Sequence, residues 1–160
     1  MVNHQRGILQ SLFFPQSIAV VGASNKEGKM GNLFVRNLQS SFKGQIFLVH
    51  PTAQDILGIK AYHQIADINQ KIDLLIPLIP ANDVIDVIKN CRRGQVKVLL
   101  AIPSGFGEVP EGGKCLEEEL ITLANDRQIR VVGPNIVGMF NSPLGLNASM
   151  IPALPPGGEG

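Results

Sequence analysis

Apolar positions along the chain fall either into short unbroken runs or into stripes at three- and four-residue spacing. The runs suit strands covered on both faces, the stripes helices. Ser17-Ile18-Ala19-Val20-Val21 is a run that stops at Gly22, which predicts strand one. Leu33, Phe34, Val35 and Leu38 recur at helical spacing and predict a helix from about Met30 to Ser40. Ile46 to Val49 is strand two, closed by His50-Pro51, whose proline has no N–H for a ladder. Gly58 to Tyr62 predicts a brief third strand, and His63 to Asn69 a short helix with Ile65 and Ile68 facing inward. Ile72 to Ile79, the most apolar stretch, is strand four. Val84, Ile85, Val87 and Ile88 then mark a helix that Asn82 or Asp83 can cap, with Gly94 as the left-handed residue beyond its end. Val96 to Ile102 is strand five. The stripe Leu116, Leu120, Leu123 and Ala124 puts a helix over Glu111 to Arg127, and Ile129 to Val132 is strand six.

Strands alternating with helices, each strand apolar on both faces, define an α/β fold: a Rossmann-like, doubly wound, largely parallel sheet with helices on both faces. Right-handed crossovers give the order 3-2-1-4-5-6, with the flavodoxin-like 2-1-3-4-5 as the alternative if Gly58 to Tyr62 is not a strand beside strand two. His4 is expected to lie in a mobile N-terminal segment. Residues 1–146 are expected to form the domain. Residues 147–160, ending Pro155-Pro156-Gly157-Gly158-Glu159-Gly160, have the composition of a linker towards a following domain.

Composition narrows the function. At 160 residues the chain suits one domain, and a net charge of +1 gives no basic footprint for nucleic acid. No run approaches the ~18 apolar residues of a membrane span, and the opening Met1 to Phe14 holds no apolar run long enough for a signal peptide. Two cysteines, Cys91 and Cys115, without a C-x-x-C pair fit a reducing compartment. The expectation is a cytoplasmic protein without membrane or nucleic-acid partners.

The chemistry concentrates in loops. Gly22-Ala23-Ser24-Asn25-Lys26-Glu27-Gly28-Lys29-Met30-Gly31 joins a strand to a helix, the setting in which main-chain amides cradle phosphate. It is not the G-x-G-x-x-G fingerprint, and Gly-Lys-Met lacks the magnesium-holding hydroxyl of a Walker loop. Strand two ends in Val49-His50-Pro51-Thr52, without the acidic residue that holds a nicotinamide ribose. What remains is a turn with Lys26 and Lys29 able to neutralise a diphosphate, or a tight turn and nothing more. His4, His50 and His63 have no ligand-spaced partners, so no metal site is expected. His50, at a strand end, is either a turn residue satisfied by main chain or a ligand contact. Ser104 lacks the nucleophile-elbow glycine, Ile102 standing in its place. Glu117-Glu118-Glu119 is expected on a solvated helix face, and both cysteines as packing residues.

Several motifs recur in order: Leu12-Phe13-Phe14-Pro15-Gln16-Ser17 through Gly22-Ala23-Ser24, Gly28-Lys29-Met30-Gly31, Val49-His50-Pro51, Gly58-Ile59-Lys60-Ala61-Tyr62, Ile72-Asp73-Leu74, Pro80-Ala81, Ser104-Gly105-Phe106-Gly107-Glu108 and Gly133-Pro134-Asn135. With them the whole chain resembles the N-terminal coenzyme A-binding domain of NDP-forming (ADP-forming) acyl-CoA synthetases, relatives of the succinyl-CoA synthetase alpha subunit. The resemblance implies CoA across the C-terminal ends of the strands. Gly22, Ala23, Ser24, Lys26 and Lys29 would lie around phosphate and adenosine, and His50 and Pro51 by the nucleotide. Ile79, Pro80 and Ala81 would flank the pantetheine arm, with Ser104, Gly105 and Asn135 towards the thiol. It also implies CoA or acyl-CoA and the remaining synthetase domains or subunit as partners. Phosphohistidine chemistry and nucleotide activation belong to those other domains, so the chain by itself is expected to be non-catalytic. A stand-alone regulatory CoA-binding protein and the synthetase-like part of a protein-lysine acetyltransferase are the alternatives. The sequence departs from the family's usual Asn-Pro-Lys at His50-Pro51-Thr52, losing a lysine for the 3′-phosphate, and from Gly-Pro-Asn-Cys at Ile136. Pro77 and Pro103 replace ordinary strand residues, which predicts a bulge or broken pairing near Pro77.

Overall fold

The computed structural model describes residues 2–152. A mostly parallel sheet is built from β1 (Ser17–Val21), β2 (Gln45–Val49), β3 (Asp55–Ile56), β4 (Ile59–Tyr62), β5 (Ile72–Pro77), β6 (Val96–Leu100) and β7 (Arg130–Val132), in the order β3-β4-β2-β1-β5-β6-β7. With β3 set aside, this is the order 3-2-1-4-5-6 expected from the sequence. The two-residue β3 pairs antiparallel with β4 through Asp55↔Lys60 and Ile56↔Ile59 and extends the edge; it is too short to leave a periodic signal.

Because side chains alternate across a strand, each apolar run feeds two cores. On one face Ala19, Val21, Phe47, Leu75 and Leu99 pack under α3 (Ala81–Asn90) and α4 (Gly113–Arg127), together with Ile65 and Ile68 of the short turn that follows β4. On the other face Ile18, Val20, Leu48, Leu74, Ile76 and Val98 pack under Phe34, Val35 and Leu38 of α2 (Met30–Ser41). Ile65 and Ile68 face inward as expected, but the segment holding them is a single 3-10 turn, Ile65–Asp67.

Several expectations change. Residues Val2–Phe13 form a helix, α1, rather than a mobile segment, with Ile8 and Leu12 against the second core and Ser11 buried. Asp73 anchors that end of the sheet: its carboxylate accepts from Gln16 N at 2.8 Å and pairs with Lys97 Nζ at 2.7 Å, and its own amide donates to Ser17 Oγ at 3.0 Å. The stretch expected as linker from residue 147 begins inside a strand. β8 (Gly138–Asn141) and β9 (Leu146–Ser149) make an antiparallel hairpin on α2, where all four β9 residues are buried. Asn37 closes the join by donating to the carbonyls of Ser149 and Ile151, both at 3.0 Å. The rest of the expected linker, residues 153–160, lies outside the described residues.

The break expected at Pro77 occurs on one side only. Val21 pairs with Pro77, and Leu78 N still donates to Val21 O at 2.8 Å, so the ladder to β1 is intact. Pairing with β6 ends at Leu75↔Leu99, before the missing N–H would be needed. The side-chain cap expected for α3 is absent: the helix starts at Ala81 with Pro80 before it, whose carbonyl accepts from Asp83 N and Val84 N. No helix among the described residues is long and apolar enough to cross a membrane.

Candidate functional site

The C-terminal ends of β5, β6 and β7 open onto one cleft of about 420 Å³. Its walls come from three successive strand ends: Leu78, Ile79 and Pro80 after β5, Ile102, Pro103 and Ser104 after β6, and Asn135, Ile136 and Val137 after β7. Met30 at the start of α2 and Met150 after β9 complete it. Of the residues expected from sequence, Ile79, Pro80, Ser104 and Asn135 line this cleft together. Lys29 lines a neighbouring groove of about 310 Å³ with Gly28, Asn32 and Arg36, and the two share Met30.

Gly22 joins the glycine loop to the cleft. It holds φ +86°, and a Cβ there would lie 2.7 Å from both Ile79 Cγ2 and the Leu78 carbonyl oxygen. A Cβ on Gly31 would collide with the Gly22 carbonyl, so α2 starts against the end of β1 only because Gly31 is a glycine. This is the close helix–strand approach that phosphate-binding turns need. Ala23 is buried in the second core. The Ser24 hydroxyl accepts from Lys26 N at 3.0 Å and its carbonyl accepts from Asn32 Nδ2 at 3.0 Å, which makes Ser24 a shaper of the turn. No side chain caps α2, whose N-cap is Lys29, so the first amides of the helix are open and its dipole favours an anion.

His50 and Pro51 stand apart from the cleft lining. His50 Nδ1 accepts from Thr52 N at 3.2 Å and Ala53 N at 3.0 Å, so the ring holds the turn after β2. His63 Nδ1 lies 3.1 Å from the Pro51 carbonyl oxygen on the same turn. Ala81 and Gly105 also lie outside the lining, pressed against each other: a Cβ on Gly105 would meet the Ala81 Cβ at 3.1 Å. Asn135 N donates to Pro103 O at 3.1 Å and ties two walls of the cleft together.

Two expectations about the remaining groups need correction. Glu117 is half-buried and tied down: its Oε2 accepts from Gly107 N at 2.8 Å, whereas Glu118 and Glu119 are exposed and Glu119 pairs with Lys89 at 3.0 Å. Cys115 is exposed, not packed. Cys91 is buried as expected, and burial pushes its thiol from an ordinary 9.0 to about 12. Among the described residues no three His, Cys, Asp or Glu side chains gather around one point as metal ligands would.

Sequence reasoning missed Met30, Leu78, Ile102, Pro103, Val137 and Met150 as cleft residues. Met30 and Val137 are 43% and 58% exposed, and large apolar side chains left open beside glycine turns are the one signal that was available.

A parallel sheet with an apolar cleft beyond its strand ends and an uncapped glycine turn beside it defines a Rossmann-like domain built to take an elongated, anionic ligand. Comparison with known proteins fixes the kind. The family model described as "CoA binding domain" matches residues 16–142, and the chain belongs to that family. It is 36% identical over 151 residues to acetate–CoA ligase [ADP-forming] I of Archaeoglobus fulgidus, covering 94% of this chain and 22% of that protein. It is 36% identical over 144 residues to the alpha subunit of acetate–CoA ligase [ADP-forming] II of Pyrococcus furiosus, covering 90% of this chain and 32% of that one. Among solved structures, the dinucleotide-forming acetyl-coenzyme A synthetase 1 of Ca. Korarchaeum cryptofilum, in complex with phosphate and ADP, superposes with a TM-score of 0.83 at 42% identity, covering 89% of this chain and 30% of that chain. The chain thus spans between about a fifth and a third of the length of these relatives.

Proposed function

We propose that this domain holds coenzyme A across the C-terminal ends of its strands, as the CoA-binding part of an NDP-forming acid–CoA ligase. The observation that carries this reading is the continuity of an apolar cleft with a cationic glycine turn. Pantetheine is a narrow, mostly apolar arm, and Met30, Ile79, Ile102, Val137 and Met150 offer it contact along one channel. The diphosphate would lie at the start of α2, beside its open amides, with Lys29 lining the adjoining groove and Lys26 on the same turn to neutralise it. Ser104 and Asn135 supply the polar groups at the far end of the cleft, towards the thiol.

Calorimetry with CoA, dephospho-CoA, NAD and ATP tests this. CoA is expected to bind more tightly than NAD or ATP, and NAD as the tightest ligand would overturn the reading. Thr52 stands exposed where the family carries a lysine, so CoA and dephospho-CoA are expected to bind within about twofold, less than one hydrogen bond's worth. Replacing Lys26 or Lys29 by Ala is expected to weaken CoA by about 1.5 to 3 kcal/mol each, the scale of a charge-assisted phosphate bond. The ligase activity itself, the identity of the acid and the association with the other synthetase domains or subunit belong to this same proposal. Assay of the full-length parent protein with acetate, CoA and nucleoside triphosphate tests them.

A further inference from the structure

The loop after β6 is held by two carboxylates that the CoA reading leaves without a role. Pro103 and Ser104 form one wall of the cleft. Immediately after them Gly105 N donates to Glu108 Oε1 at 2.5 Å, and Gly107 N donates to Glu117 Oε2 at 2.8 Å. Hydrogen bonds from the amides of Gly105, Glu108 and Phe106 hold the Glu108 carboxyl below the usual carboxylate range. Gly105 N is thus held by an exposed carboxylate, and Glu117 reaches the same loop from α4.

Phe106 lies between these two clamps, fully buried in the core under α3 and α4. It fixes the depth of the loop but cannot fix the tilt of the residues before it. Tilt matters because Pro103 O accepts the Asn135 amide, so a shift in this loop moves two of the three strand-end walls together.

We propose that Glu108 and Glu117 are positioning residues for the thiol half of the ligand: they set the Pro103–Gly107 loop, and through it Ser104 and Asn135, without touching CoA. The inference rests on CoA occupying the cleft. It goes further in dividing the ligand: the adenosine and phosphate half, at the glycine turn, is predicted to be indifferent to both residues.

Calorimetry on the full chain tests it, with CoA and adenosine 3′,5′-bisphosphate as separate probes. The double variant Glu108→Ala, Glu117→Ala is expected to bind CoA about tenfold more weakly, a loss of one to two hydrogen bonds' worth. Adenosine 3′,5′-bisphosphate should stay within about twofold of the unsubstituted chain, because its contacts lie elsewhere. Glu117→Gln keeps an acceptor oxygen for Gly107 N and is expected to retain most of the CoA affinity. CoA binding unchanged in the double variant would overturn the proposal, as would an equal loss for both probes, which marks a general structural role. If the double variant does not fold, Glu117→Ala alone carries the same comparison. Failure of the unsubstituted chain to bind CoA would instead refute the assignment of the cleft.

Discussion

The side chain of Asn25 accepts a hydrogen bond from the main-chain amide of Leu57 at 2.8 Å and donates to Asp55 O at 3.1 Å, so one amide group joins the glycine turn to the β3–β4 hairpin. Leu57 holds φ +50°, a conformation that costs a non-glycine residue about 1 to 2 kcal/mol. Gln39 Nε2 grips its carbonyl at 2.9 Å from the α2 side. Asn25→Ala is expected to free the Leu57 amide and raise its hydrogen-exchange rate about tenfold, the equivalent of roughly 1.4 kcal/mol. Exchange at the unsubstituted rate would show that the hairpin holds its own turn.

Gly31 and Gly28 separate two reasons for a glycine in one loop. A Cβ on Gly31 meets the rigid carbonyl of Gly22, whereas a Cβ on Gly28 meets nothing within 4 Å and suffers only from φ +80°. Gly28→Ala is expected to cost about 1 to 2 kcal/mol of stability through backbone strain. Gly31→Ala must push α2 off the end of β1 and is expected to cost about 3 kcal/mol or more, as overpacking does. Urea unfolding of the two variants checks the order. The reverse order would mean that α2 has room to slide.

The two thiols are expected to report folding separately. Exposed Cys115 should react with an alkylating reagent at pH 8, while buried Cys91 should react only as fast as the fold opens. Burial raises the Cys91 thiol from 9.0 to about 12, so above pH 9 the unfolded chain loses a proton that the folded chain keeps. Its contribution to stability is therefore complete below pH 9 and is lost as pH rises towards about 12. Alkaline unfolding of Cys91→Ser, compared with the unsubstituted chain, checks the sign: the variant should lose less stability over that window.

The sheet was legible because its strands are buried on both faces and write themselves as apolar runs, from Ile18 to Val21 and from Ile72 to Ile76. What was not legible has a common cause: elements that bury little and borrow their order from neighbours. α1 covers the sheet with Ile8 and Leu12, and its other members include the exposed Leu9 and Phe13, which blur the stripe. β9 reads Leu146-Asn147-Ala148-Ser149, polar at alternate positions yet buried throughout, because Asn147 N donates to Ser41 Oγ at 3.1 Å and Ser149 Oγ to Asn147 Oδ1 at 2.7 Å. Buried polar residues that satisfy one another leave no hydrophobic pattern. Met150 was missed as a cleft residue for the same reason, since its place depends on that strand.

On the proposed reading the parent ligase passes a phosphoryl group through a histidine, whose attacking ring nitrogen needs a free lone pair. In His50 the Nδ1 lone pair is held by the amides of Thr52 and Ala53, so in the neutral ring Nε2 carries the hydrogen. Attack from either nitrogen would require the turn after β2 to let go. His63 sits on the outer side of that turn, against Pro51 O. Neither ring lines the cleft where Ser104 and Asn135 meet. The 160-residue chain is therefore expected to bind CoA but to form no thioester when given ATP, acetate and magnesium, and to take no label from radiolabelled ATP. Labelled His50, or thioester formed by this chain alone, would move the reaction into the domain and require the turn to open during turnover.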